Sequence, residues 1–245
     1  MVQLLVTGLA MGSIYALVSL GFILVYNAVG AVNFAHGELV MVGAFFGVTV
    51  ATVLEFPLVW AFVASVAGMA LLGLLFQRLA YYPVRDRPPI TFIIISVGVS
   101  IFLRNAALAT WGPDPYPLPS FFGTAKIRIA DSVILWHHLF IIAVTAFVFG
   151  CQAFFFARTT IGKKMQATAQ DIDMARLVGI RVNRMIALTF VLSAMLSALA
   201  GLLVGPIFFV DHDMGLFIIL KAFIVIVMGG FGSVPGSFVA GLFLG

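Results

Sequence analysis

RTTIGKKMQATAQDIDMARLVGIRVNR, running from Arg158 to Arg184, is the most highly charged interval in a chain otherwise dominated by apolar runs. It carries Arg158, Lys163, Lys164, Arg176, Arg181 and Arg184 against Asp171 and Asp173, a net of +4. The whole 245-residue chain is also +4, so everything outside the interval balances. A short interval between two apolar runs that holds all the excess positive charge reads as an oriented membrane loop. Lys and Arg accumulate in the short loops on the cytoplasmic side.

Composition supports the membrane reading. The chain is 63% hydrophobic and only 9% charged, against about 25% charged in a soluble domain. Apolar runs of about 20 residues, long enough to cross the hydrocarbon layer as helices, recur along the sequence. The first Lys or Arg is Arg78, so the opening apolar run lacks the basic flank of a cleaved signal peptide and is expected to remain. A single cysteine, Cys151, excludes a disulfide framework or a cysteine metal cluster within one chain. The basic balance lies in a membrane loop without interleaved aromatic residues, and is not a nucleic-acid footprint.

Working outward from the loop, the spans fall at about 2–26, 37–54, 58–80, 90–110, 132–156 and 185–205. A shorter interrupted segment follows at 215–230, and a last one starts near Pro235. The fold class is therefore all-α: one polytopic transmembrane bundle over 1–245, of about eight helices with broken or re-entrant segments. The last run is still apolar at Leu244 and Gly245, as expected if the native chain continues. Arg78, Arg85 and Arg87 make the 81–89 connection basic. Single crossings at 90–110 and 132–156 put it on the same side as 158–184, the cytoplasm, and the N-terminus outside. The 111–131 loop faces outward, with Lys126 and Arg128 offset by Asp114 and Asp131. Pro113, Pro115, Pro117 and Pro119 forbid a helix there, while Lys126-Ile127-Arg128-Ile129 alternates as a short strand does. Gly8 and Gly12 have the G-x-x-x-G spacing of close helix packing.

Few residues can carry chemistry. Asn33-Phe34-Ala35-His36-Gly37-Glu38 interrupts an apolar run, and two readings stand for it. It is either a broken element near a translocation path, since polar groups at membrane depth must be buried or line a wet cavity, or a cytoplasmic turn with His36 and Glu38 solvated or capping the next helix. Lys221 lies in an apolar segment ahead of the helix-breaking Gly229–Gly236 stretch; broken helices of this kind often line substrate sites. Arg104, near Trp111, can reach the outer interface and has a structural role. Asp211-His212-Asp213 reads as a solvated loop, because adjacent residues rarely converge on one metal ion. No nucleophile, phosphate-binding or zinc-protease motif is present, so the chain is expected to be a non-catalytic subunit without metal or cofactor.

The charged interval predicts a helix over 163–178, with Met165, Ala169, Ile172 and Ala175 on one face and Gly179 as its stop. That face is made mostly of small residues and is weak for lipid anchoring. A groove on another protein suits it better.

Gly162–Asp171 with Ala175-Arg176-Leu177-Val178-Gly179-Ile180 resembles the cytoplasmic coupling loop of ABC importer permeases. Taken with Asn33–Glu38, Lys221-Ala222-Phe223 and the Gly229–Gly236 stretch, nearly the whole chain is similar to the branched-chain amino acid permease family. The resemblance implies a multi-pass subunit of a bacterial or archaeal plasma (inner) membrane, embedded in the lipid bilayer. It implies a second permease subunit, paralogous or identical, two cytoplasmic ATPase subunits and an extracytoplasmic solute-binding protein. Leucine, isoleucine and valine are the implied substrates, with urea and amide importers as close relatives. The coupling surface is then expected at Met165, Ala169, Asp171, Ala175, Arg176 and Gly179, and the translocation path at Asn33, His36, Glu38 and Lys221. A self-sufficient secondary transporter or channel is the rival; it needs an ion-binding pair inside the bundle, for which Glu38 and Lys221 are the candidates.

Overall fold

The computed structural model describes residues 1–123, 126–129 and 132–245, the backbone alone at 126–129 and 132–134. Six helical segments among these are long and apolar enough to cross a membrane, and two shorter apolar helices follow. In order they are α1 (Val2–Val29), α2 (His36–Val48), α3 (Leu58–Phe76), α4 (Pro89–Trp111), α5 (Trp136–Arg158), α6 (Thr160–Gln170), α7 (Ile172–Leu177), α8 (Val182–Phe208), α9 (Met214–Gly229) and α10 (Val234–Leu244). Wider π turns at Thr49–Val53 and Gln77–Tyr81 prolong α2 and α3. The architecture is an all-α polytopic bundle. Among the described residues one small sheet pairs β1 (Lys126–Ile129) with β2 (Ser132–Leu135), antiparallel, in the α4–α5 connection.

Local chemistry sets the boundaries. Gly30, at φ +70°, closes α1 by donating its N–H to the Tyr26 carbonyl at 2.8 Å, a left-handed cap that costs glycine nothing. Pro89 opens α4 in the first turn, where its missing N–H would have no helical partner. Ser233 caps α10 through the Gly236 N–H. The span expected from 132 begins four residues later, at Trp136, because Ser132–Leu135 pairs as β2. Asp131, expected to balance the outer loop, lies outside the described residues.

The helices divide into a centre and a periphery. α1, α2 and α8 are buried along most of their length, whereas α3, α4 and α5 leave most of theirs uncovered. Lipid tails are as apolar as leucine, so packing in a membrane relies on close backbone approach. Gly201 of α8 meets Val40 and Ala44 of α2, and Gly43 of α2 meets Ala198 of α8. Gly8 and Gly12 form the seat of α10, against Gly245 and Gly241. At the C-terminal end of α4, Phe45 stacks on Trp111, ring centroids 4.7 Å apart. Trp111 donates its indole N–H to Thr49 at 2.9 Å. Tyr116 and Val210 exchange backbone hydrogen bonds of 2.8 Å, placing the Pro-rich loop beside the end of α8.

Candidate functional site

Asn33–Glu38 lies deep in the bundle, with only the Phe34 side chain exposed. Asn33 is 2% exposed, His36 0% and Glu38 3%, which removes the reading of a solvated turn. Their neighbours fix the depth. The Phe34 N–H donates to Ser96 of α4 at 3.0 Å, and Ser100 one turn on donates to Glu38 Oε1 at 3.2 Å. His36 sits against Ser193 and Ser197 of α8, at 3.4 and 3.5 Å. At 1.5 Å per residue these serines lie roughly 16 and 22 Å along an α8 of about 40 Å. The start of α2 is therefore level with the middle of the spanning helices.

The local fold follows from the side chains. Asn33 Oδ1 accepts the Ala35 N–H at 3.1 Å, turning the chain into α2, and Asn33 Nδ2 is buried without a partner among the described residues. His36 Nε2 donates to the Val18 carbonyl of α1 at 3.0 Å; a carbonyl only accepts, so Nε2 carries a proton. Phe22 meets the same ring edge-on. Ser193 gives its own proton to Gly21 O at 2.8 Å. α1, α2 and α8 are thus joined by polar contacts within an apolar core.

On the other flank, α2 and α9 touch backbone to backbone at Gly37 and Gly215. A Cβ on Gly215 would collide with the Glu38 carboxylate, and one on Gly37 would stand 2.8 Å from Ile219 Cβ. Glu38 Oε2 is buried and has no hydrogen-bond partner among the described residues. Arg104, one turn beyond Ser100, forms an ion pair with Asp213, which immediately precedes α9. Arg104 is therefore tied to the α9 entrance, a correction to the expectation that it simply reaches the outer interface. Asp213 is likewise an ion-pair partner rather than a merely solvated residue.

Three of the four residues expected on a path come together: Asn33, His36 and Glu38. Lys221 does not join them. It is exposed on α9 and lines an outer crevice of about 390 Å³ with Tyr15, Asp211 and Phe217. Glu38 bonds Ser100, and among the described residues Lys221 has no ion pair. Sequence reasoning passed over Ser96, Ser100, Ser193 and Ser197. Their signal was two i, i+4 serine pairs inside apolar spans, which places both members of each pair on one helix face.

The charged interval also departs from expectation. The single helix over 163–178 is two helices. Asp171, at φ −154° and ψ 110°, ends α6 and caps α7, its Oδ1 accepting the Asp173 and Met174 N–H groups at 2.9 Å each. Extended backbone at one residue breaks the ladder, and the aspartate N-cap compensates the freed donors. Gly179, at φ +79°, stops α7 as expected: its N–H reaches Arg176 O and that of Ile180 reaches Ala175 O, at 3.0 and 2.9 Å. The predicted docking face is not a free surface. Met165 and Ala175 are buried within the chain, whereas Ala169, Asp171, Arg176 and Gly179 are exposed. The large open apolar side chains here are Ile161 on α6 and, clustered at α7, Met174, Leu177 and Val178, the last two 80% and 75% exposed.

The chain matches, over residues 4–245, the family described as the branched-chain amino acid transport system permease component. It is 36% identical to the high-affinity branched-chain amino acid transport system permease protein BraD of Pseudomonas aeruginosa, covering 99% of this chain and 83% of that protein. It is 34% identical to the corresponding permease protein LivH of Escherichia coli K12, with the same coverage. A more distant likeness, 27% identical over 46% of this chain and 32% of the relative, is to the autoinducer 2 import system permease protein LsrC of Escherichia coli DH10B. No solved structure matches. Match and fold agree: the chain belongs to the branched-chain amino acid transport system permease family.

Proposed function

We propose that this chain is the membrane-spanning subunit of an ATP-driven importer for branched-chain amino acids in a bacterial inner membrane. The observation that carries this reading is the family match along residues 4–245, together with relatives whose names specify that transport. The buried break at Asn33–Glu38 supports a translocation role, because ionisable groups at the middle of a membrane bundle are costly and mark functional sites by default. In this reading Asn33, His36 and Glu38 form a polar station on the path, with Ser100 and the Arg104–Asp213 pair beside it.

The α6–α7 pair is where cytoplasmic ATPase subunits would act. Its exposed apolar residues Met174, Leu177 and Val178 supply a docking knob, flanked by Asp171, Arg176 and Gly179. Met165 and Ala175 anchor the pair to its own bundle. A second permease subunit would cover part of the peripheral faces, and a solute-binding protein would deliver the substrate from outside.

Proteoliposomes holding this chain with its partner permease, ATPase subunits and binding protein should take up radiolabelled leucine only with ATP inside. Uptake at full rate without ATPase and ATP would overturn the reading.

A further inference from the structure

The two basic connections meet. Arg85 and Asp86, between α3 and α4, line one cavity of about 620 Å³ with Arg176 of α7 and with Arg181, Asn183 and Arg184 at the start of α8. Four guanidinium groups face one carboxylate there. Asp86 is already engaged by Arg85 at 3.2 Å, and Arg176 pairs outward with Asp173 at 3.2 Å. Among the described residues Arg181 and Arg184 have no ion pair. The Arg85 guanidinium lies 4.1 Å above the Tyr82 ring, which holds it at the cavity wall. An excess of guanidinium groups around one cavity, two of them without an ion pair among the described residues, calls for an anionic oxygen.

A second cavity, of about 240 Å³, shares Asn183 and Arg184 with the first. It descends between α3 and α8 past Arg78 and Tyr82 to Leu74 and Ala187. Leu71, Leu75 and Leu79 stand exposed along the same helix and its continuation. The polar chamber is therefore continuous with a crevice that also holds Gln77 and turns apolar at its deep end, at Leu74 of α3 and Ala187 of α8. A free anion or an acidic protein surface would fill the chamber alone. A ligand with a phosphate at one end and a hydrocarbon chain at the other fills both.

We propose that this double cavity binds an anionic phospholipid. Its headgroup phosphate lies among Arg85, Arg181 and Arg184, and an acyl chain lies along Leu74 and Ala187. Basic pockets between spanning helices on the cytoplasmic side suit such headgroups, and the guanidinium fork matches phosphate geometry. The lipid would bridge the α3–α4 connection to the α7–α8 turn, whichever solute is carried.

The probe is phosphatidylglycerol doped into phosphatidylcholine nanodiscs holding the assembled importer, with retained lipid counted by native mass spectrometry. Phosphatidylglycerol is expected to be retained in preference to phosphatidylcholine, and retention should fall about fivefold for each arginine removed in Arg181→Gln and Arg184→Gln. Arg158→Gln, in the same basic interval but outside the cavity, should leave retention unchanged. An equal loss with Arg158→Gln would mean diffuse surface charge and would overturn the proposal. So would full displacement of the lipid by millimolar inorganic phosphate, which marks a free-anion site. Loss of ATPase subunits from the Arg184→Gln complex with lipid retention intact would identify a protein-docking surface instead. If the Arg181→Gln complex does not assemble, the Arg184→Gln complex carries the same test.

Discussion

Glu38 at the start of α2 and Ser100 in the middle of α4 are joined by a 3.2 Å hydrogen bond across 62 residues of sequence. With Oε2 otherwise bare, Ser100 is the one hydroxyl satisfying that carboxyl group among the described residues. Ser100→Ala should cost about 1–3 kcal/mol, the penalty for stranding a buried polar group. It should lower the melting temperature of the purified importer and slow leucine uptake. Glu38→Gln preserves shape and should assemble normally. If it also transports at the native rate, the carboxylate has no part in the path.

Gly215 and Gly98 make a matched pair of probes. A methyl group at Gly215 meets Glu38 and the Gly37 carbonyl, whereas one at Gly98 meets nothing within 4 Å. Gly215→Ala should destabilise by about 1–3 kcal/mol through overpacking. Gly98→Ala should be neutral or stabilising by up to about 1 kcal/mol, since alanine favours the helix. Thermal unfolding followed by size-exclusion chromatography distinguishes them. Equal behaviour would show that α2 and α9 do not approach as described.

Arg104 and Asp213 are each about two-fifths exposed as side chains. Solvent screening therefore limits their coupling to about 0.2–1 kcal/mol. A double-mutant cycle with Arg104→Ala and Asp213→Ala should return a value in that range for thermal stability. Both single variants should impair uptake more than stability if the pair also positions α9 against Glu38. Uptake losses that merely track the loss of folded protein would reduce the pair to a structural tie.

Leu177→Glu and Val178→Glu place charge on exposed apolar positions, so insertion and folding should be intact. ATP hydrolysis by the assembled importer should lose its stimulation by the loaded binding protein, and leucine uptake should fall with it. Asp171→Ala removes the shared cap and should weaken the α6–α7 joint by about 0.5–2 kcal/mol. Ala175→Glu is a poor probe of docking, because Ala175 is buried in its own chain.

The bundle was legible because apolar runs of spanning length leave little alternative. α1, α4, α8 and α9 begin and end within a few residues of where hydropathy places them. The break at Asp171 had a signal too, an aspartate at a helix-capping position, but the amphipathic pattern continues across it and masks the interruption. Ser-Val-Ile-Leu at 132–135 reads equally well as the first turn of a span or as a strand, and pairing with Lys126–Ile129 decides for the strand. The site was half legible. Asn33, His36 and Glu38 stand out as polar residues in an apolar run. Arg104 with Asp213, and the serines of α4 and α8, are brought together only by tertiary packing between distant segments. Burial was illegible for Met165 and Ala175, because an amphipathic face looks the same whether its own bundle or a partner covers it.

Pro206 lies two residues from the outer end of α8 and cannot donate the bond that would brace the last turn. It makes that end of α8 the natural fulcrum of a lever. The cytoplasmic end of the same rod is bolted to α7 through the tight turn at Gly179 and Ile180, and Ser193 and Ser197 ride along its shaft beside His36. A swing of about 10° about Pro206 sweeps the cytoplasmic end through roughly 6 Å and the serine level through about half that distance. Gly201 is seated on Val40 and Ala44 of α2, so a push at α7 that tilted α8 would carry α2 and the polar station along with it rather than slide past them.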